Sequence, residues 1–114
     1  MEANDHTKRP SELFGKTPKI KTGCGNLYVT INENEGKSSE VLPTLGKAGS
    51  CASATTQAIG RLAGLALRKG ATDNEVAEQL KGIACHLPTL ECSSCVDGIG
   101  RLLDKDYVSP RRDW

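Results

Sequence analysis

The chain reads as an α+β domain, with a short antiparallel sheet over residues 18 to 46, three helices after it, and cysteines converging near the helix ends. Three observations predict this. Leu27, Val29 and Ile31 alternate with Tyr28, Thr30 and Asn32, the period of a half-buried strand. From Cys51 onward apolar residues recur at three- and four-residue steps, the period of a helix with one buried face. Cys24, Cys51, Cys85, Cys92 and Cys95 stand in or beside glycine-rich turns, loops and predicted helix starts, where thiols can be presented to a metal.

Residues 1 to 17 are polar and aperiodic, with a Lys8-Arg9-Pro10 cluster, and read as a flexible arm anchored only by Leu13 and Phe14. The alternating strand ends in a turn at Glu33-Asn34-Glu35-Gly36, and Ser39 to Leu45 returns antiparallel. Pro43 cannot donate to a ladder, so this second strand is expected at an edge or with a bulge. The first helix presents Ala54, Ala58, Ile59, Leu62, Ala63 and Ala66 as its expected buried stripe and stops at Gly70. Gly60 and Gly64 weaken it but let another backbone approach closely. Thr72-Asp73-Asn74-Glu75 is a capping box opening a second helix that runs to about Leu80, with Val76, Ala77, Leu80 and Ile83 facing the core. A third helix starts near Ser94, whose hydroxyl caps it while Asp97 favours its positive end; Val96, Ile99, Leu102 and Leu103 form its stripe. Asp106 to Trp114 is a short polar tail.

Composition narrows the function. The 114 residues support one domain of limited buried surface, which a structural metal would help to hold. Fifteen basic and fourteen acidic side chains give a net charge of +1, no electrostatic case for duplex nucleic acid or an acidic membrane. No stretch approaches the roughly 20 apolar residues of a membrane span, nor is there an apolar leader, so a cytoplasmic protein is expected. Thiols stay reduced in that compartment, and five cysteines is an odd number, so metal ligands or redox groups are favoured over a disulfide framework.

Cys51 and Cys95 fall in the first turn of predicted helices, where free amides and the macrodipole favour a thiolate. With Cys85 in the loop before Cys95 and Cys24 between two glycines, four thiolates could surround Zn²⁺ at about 2.3 Å in a closed structural site. Cys24 and Cys51 could equally be small buried hydrophobes. Cys92-Ser93-Ser94-Cys95 also suits dithiol–disulfide cycling. His86 reads as an exposed loop residue rather than a ligand. Gly46, Lys47, Gly49 and Ser50, entering the first helix, could cradle an anion such as a nucleotide phosphate, but they lack P-loop spacing, which favours a tight strand-to-helix turn instead. Neither a Ser/His/Asp set nor paired carboxylates stand out, and no catalytic residue is assigned.

The ordered motifs Lys21-Thr22-Gly23-Cys24-Gly25-Asn26-Leu27-Tyr28-Val29-Thr30-Ile31-Asn32, Leu45-Gly46-Lys47-Ala48-Gly49-Ser50-Cys51-Ala52, Ala58-Ile59-Gly60-Arg61-Leu62, Gln79-Leu80-Lys81-Gly82-Ile83 and Ser93-Ser94-Cys95-Val96-Asp97 resemble the TSCPD domain found at the carboxyl end of adenosylcobalamin-dependent, class II ribonucleotide reductases. The resemblance covers residues 9 to 105. It implies a cysteine-rich accessory module in deoxyribonucleotide synthesis, with Cys24, Cys51, Cys85 and Cys95 at the family's cysteine positions as a first ligand set. Ser93 and Val96 depart from the threonine and proline of the name motif, and Cys92 is an additional thiol that could displace Cys24. A chain this short has no room for the catalytic barrel, so adenosylcobalamin and substrate would belong to a parent or partner reductase. The implied roles are a detached domain, a small subunit of a split reductase, or a free-standing relative, perhaps oligomeric, that binds a nucleotide-like ligand.

Overall fold

A computed structural model describes residues 9–45 and 51–107. Four antiparallel strands, β1 (Phe14–Lys16), β2 (Lys19–Thr22), β3 (Gly25–Asn34) and β4 (Lys37–Leu45), precede three helices, α1 (Cys51–Arg68), α2 (Asp73–Leu80) and α3 (Cys95–Leu103). The α+β architecture expected from the sequence is therefore present.

The long β3 organises the sheet. β1 pairs with its second half and β2 with its first, sharing one edge, while β4 runs along the other. β1 and β2 are in effect one strand broken at Pro18, which has no N–H to donate but whose carbonyl still accepts from Val29 at 3.0 Å. Part of the stretch read as an arm is thus sheet: Phe14 stands opposite Glu33 and Lys16 opposite Ile31. Phe14 itself is 77% exposed, so backbone pairing, half-buried Leu13 and the Arg9–Glu40 ion pair hold this stretch.

The β3–β4 hairpin turns at Glu35 and Gly36, whose φ values of 55° and 81° give the double left-handed geometry that matches strand twist. Asn32 faces Glu40 but Glu33 faces Ser38, so Ser39 is the extra residue of a bulge. Pro43 lies opposite Val29 on an edge strand, as the missing donor required.

One face of the sheet is buried through Ile20, Leu27, Val29, Ile31, Val41 and Leu45, and the helices cover it with Ala63, Leu67, Val76, Ala77, Ile99 and Leu103. Tyr107, in the stretch read as tail, packs against this core. The α2 capping box is complete: the Thr72 hydroxyl accepts from the Glu75 amide at 3.1 Å, and the Glu75 carboxylate accepts from the Thr72 amide at 2.8 Å. Ser94 caps α3 by accepting from the Asp97 amide at 2.9 Å.

Helix α1 is rotated from the sequence expectation. Its buried face is Ser53, Thr56, Gly60, Ala63, Gly64 and Leu67, whereas Ala54, Ala58 and Leu62 are exposed and Ile59 and Ala66 half-buried. The reason is steric: the helix sits against the backbone of β4, and only small residues allow that approach. A Cβ on Gly60 would stand 2.6 Å from the Val41 carbonyl oxygen, with the Pro43 ring closer still. Smaller corrections hold on the other helices. Ile83 lies beyond α2 and is exposed rather than core-facing, and in α3 Asp97, Gly98 and Gly100 are buried while Val96 and Leu102 are only partly so.

Candidate functional site

The β2–β3 hairpin, the loop from Lys81 to Ser94 and the start of α3 meet at one end of the sheet, and four of the five cysteines lie in these segments. Gly23 and Cys24 form the hairpin turn between Thr22 and Gly25, which are paired. The buried Thr22 hydroxyl donates to the Gly25 carbonyl at 2.7 Å and accepts from the Cys24 amide at 3.1 Å, holding Cys24 at the tip. The Cys95 thiol, on the first residue of α3, donates to the same Thr22 oxygen at 3.6 Å.

Asp97 fixes the loop. Its carboxylate is fully buried and accepts from the Gly82 amide at 2.7 Å, the Ser93 amide at 2.8 Å and Arg101 Nε at 2.7 Å. One side chain therefore ties both ends of the cysteine-bearing loop to α3. Burial pushes its pKa up, but the two backbone amides and the Arg101 guanidinium more than offset this and leave it below the usual carboxylate range. The Ser94 hydroxyl adds a tie to the Ile83 carbonyl.

A second set of bonds docks the loop on β2. The Thr89 hydroxyl donates to the Lys21 carbonyl at 2.8 Å and accepts from the Glu91 and Cys92 amides at 3.1 and 3.2 Å. The Lys21 amide donates to the Glu91 carboxylate at 3.0 Å. Sequence reasoning missed Thr22, Thr89 and Glu91 as organisers; the pairing of Lys21 with residues about 70 positions away leaves no local pattern.

The thiols themselves divide. A hydrogen bond with Cys95, then desolvation, then the charges of Cys95 and Cys85 hold the Cys24 thiol above its ordinary pKa. Adjacent thiols that resist joint ionisation are a donor set whose repulsion a divalent cation relieves. Cys85 accepts from the Leu87 amide at 3.3 Å, a contact that orients and supports a ligating sulfur. Cys92 is different: it is buried, its thiol donates to the Lys21 carbonyl at 3.4 Å, and burial pushes its pKa up.

The chemistry of Cys24, Cys85 and Cys95 thus suits Zn²⁺, but the expected closed site is not assembled. Among the described residues, no group of three or more His, Cys, Asp or Glu side chains stands in a ligating arrangement. Cys51 opens α1, exposed, with no thiol hydrogen bond to the other cysteines among the described residues. His86 is exposed beside Cys85. Gly46, Lys47, Gly49 and Ser50, the expected anion cradle, lie outside the described residues.

The hairpin tip depends on close approach. A Cβ on Gly23 would stand 2.9 Å from the Leu87 carbonyl carbon, with the Leu87 oxygen and Cβ nearer. Gly23→Ala is expected to lower stability by about 1–3 kcal/mol and to part the hairpin from the loop. In reduced, metal-free protein the exposed Cys51 and Cys85 should react quickly with a thiol reagent, the exposed Cys24 more slowly because its raised pKa leaves less thiolate, and the buried Cys92 and Cys95 should lag further. In Gly23→Ala the slow pair should become fast, and an unchanged reaction profile would contradict this packing.

No helix among the described residues is long and apolar enough to cross a membrane. Neither a search of curated proteins nor one of solved structures returned a match. The family model for the TSCPD domain matches residues 3–107, nearly the whole chain and the whole of the thiol-bearing end just described. On that match, with Ser93-Ser94-Cys95-Val96-Asp97 forming the cap and clamp of α3, the chain belongs to the TSCPD domain family.

Proposed function

We propose that this chain is an accessory metal-binding module, or a small subunit, of an adenosylcobalamin-dependent ribonucleotide reductase, and that its thiols hold a structural Zn²⁺. TSCPD domains are linked to ribonucleotide reductases, and the family match across residues 3–107 is the observation that carries the reading. The meeting of Cys24, Cys85 and Cys95 at one end of the sheet supports the metal part. Cys24 and Cys85 are exposed, so their side chains can turn toward the buried Cys95 when an ion enters. Cys51 and Cys92 are the competing fourth ligands, and Cys92 would have to give up its bond to Lys21. The module supplies no radical chemistry of its own; cobalamin and nucleotide belong to the reductase.

Protein purified in reductant without added zinc is expected to contain about one Zn²⁺ per chain by elemental analysis, and chelator should lower its melting temperature, because a structural site couples binding to folding. Serine replacement of Cys24, Cys85 or Cys95 should each cost the metal, and of Cys51→Ser and Cys92→Ser only the one that removes the fourth ligand should do so. Sub-stoichiometric metal together with unchanged melting in chelator would remove zinc and favour dithiol chemistry at Cys92 and Cys95. The reductase part is tested separately: added to a class II reductase lacking this segment, with adenosylcobalamin and a thiol reductant, the chain should raise deoxyribonucleotide formation. Turnover by the chain alone, or no gain with any truncated reductase, would contradict it.

A further inference from the structure

The line along which α1 meets β4 is also an open, charged groove. Leu42 and Pro43 of β4 and Gln57, Arg61 and Arg68 of α1 line a cleft of about 530 Å³ floored by Gly60 and Gly64. That volume is within the range of small-molecule sites. Helix and strand run antiparallel here, with Gly60 against Val41 and Pro43 and Gly64 against Ser39 and Glu40, so the lining residues fall in order. Leu42, Pro43 and the Gln57 amide stand toward one end, Arg61 follows, and Arg68 stands at the other. Leu42 is 48% exposed, an apolar ledge open to whatever enters.

Both arginines are available to an anion. Arg61 is exposed and makes no ion pair among the described residues. Arg68 reaches back toward the amino end of its helix, as helical side chains do. Its Nη1 donates to the Ser39 carbonyl at 2.8 Å and lies 3.1 Å from where a Cβ on Gly64 would stand. That bond fixes the planar head in the groove and leaves its other N–H donors without a partner among the described residues. Glu40, the one acid among the described lining residues, is already engaged by Arg9 and Asn32. Helix α1 itself contains no acid, so two guanidiniums face the cleft uncompensated.

A guanidinium presents paired N–H groups that match phosphate oxygens. Arg61 and Arg68 are two helical turns apart, about 10 Å along the axis, which suits an extended anion better than a single ionic group. The ledge of Leu42 and Pro43, beside an amide that can both donate and accept, suits a flat ring with polar edges. We propose that the groove between α1 and β4 binds a nucleoside polyphosphate, with its phosphates along Arg61 and Arg68 and its base against Leu42 and Pro43 within reach of Gln57. The site is distinct from the thiol-bearing end of the sheet and stands or falls independently of the metal and of the reductase.

Calorimetric titration of the full chain with ATP, GTP, CTP, UTP, pyrophosphate and adenosine, without magnesium, tests it. At least one triphosphate should bind saturably, one per chain, and more weakly as salt rises. Pyrophosphate should bind more weakly than that triphosphate, and adenosine should not bind detectably. Arg61→Ala should weaken the triphosphate about tenfold or more, through loss of hydrogen bonds to a charged group. The melting temperature of the ligand-free protein should not change, because Arg61 has no ion pair to lose. Leu42→Ala should weaken the triphosphate and leave pyrophosphate unaffected. The proposal is overturned if none of the four triphosphates binds saturably at millimolar concentration or if Arg61→Ala keeps the wild-type affinity. Pyrophosphate binding as tightly as the triphosphates, or a triphosphate affinity indifferent to Leu42→Ala, overturns it equally.

Discussion

Replacing Asp97 with alanine is expected to lower the stability of the domain by about 2–4 kcal/mol, chiefly because two backbone amides lose the buried carboxylate that accepts from them. The loss has three parts. Arg101 is left without its carboxylate, and the amides of Gly82 and Ser93 lose their acceptor at a position with no solvent exposure. Against a typical total of about 5–15 kcal/mol, this is a large share of the stability of a small domain. Chemical denaturation should show a lower midpoint, and amide exchange at Gly82 and Ser93 should rise more than in β3. Wild-type exchange rates at those two amides would contradict the clamp.

The same carboxyl sets an acid limit. Its folded pKa lies below its ordinary value of about 3.9, so its contribution is fully present above that value and is lost as pH falls through the lower folded pKa, because the unfolded chain takes up the proton first. Asp104, hydrogen-bonded to Lys81, and Glu40, hydrogen-bonded to Arg9, shift the same way from partly buried positions. Asp97→Asn should therefore flatten, without abolishing, the loss of stability as pH falls below about 4.

Gly60→Val is expected to cost about 3 kcal/mol, at the upper end for overpacking, although valine is the better helix former. The two methyl groups have nowhere to go, since even a Cβ at this position meets the Val41 carbonyl and the Pro43 ring. Relief requires lifting α1 from β4. Gly64 provides the control. There a Cβ meets the movable Arg68 guanidinium at 3.1 Å and the Ser39 carbonyl at 3.5 Å, so Gly64→Ala should be neutral or should gain up to about 1 kcal/mol from helix propensity. Equal melting temperatures for the two variants would refute the steric account of the rotated helix.

That rotation shows where sequence reasoning stops. Periodicity found α1 and both its ends, but it weighs apolarity, and the face that packs here was chosen by shape: Gly60 and Gly64 admit a strand where Leu62 could not. The capping box at Thr72, the Ser94 cap and the edge position of Pro43 were legible because each is a local hydrogen-bond requirement written in adjacent residues. β1 and β2 were not resolved as separate strands, being short and interrupted at Pro18. The thiol-bearing end was half legible. Cysteines in turns and at a helix start pointed to the end where Cys24, Cys85 and Cys95 meet, but the expectation that Cys51 joins the others had no support from hydrophobic pattern, and Thr22, Thr89 and Glu91 act through pairings that only the folded chain creates.

Those pairings have a kinetic consequence. Thr89 reaches Lys21 across 68 residues, Cys92 reaches Lys21 across 71 and Cys95 reaches Thr22 across 73. Closing a loop of that length costs roughly 4 kcal/mol of chain entropy before any of these contacts repays it. The hairpin carrying Cys24 can form from local residues as soon as it is synthesised, yet it meets no second thiol until α3 has been made and has docked. The order of events is built into the topology: the sheet comes early and the cysteine cluster last, as a high-contact-order step. For the Zn²⁺ site proposed above, a nascent chain would offer only isolated thiols, and a multidentate grip would arise only once the polypeptide had closed on itself, so capture of the ion would mark completed folding.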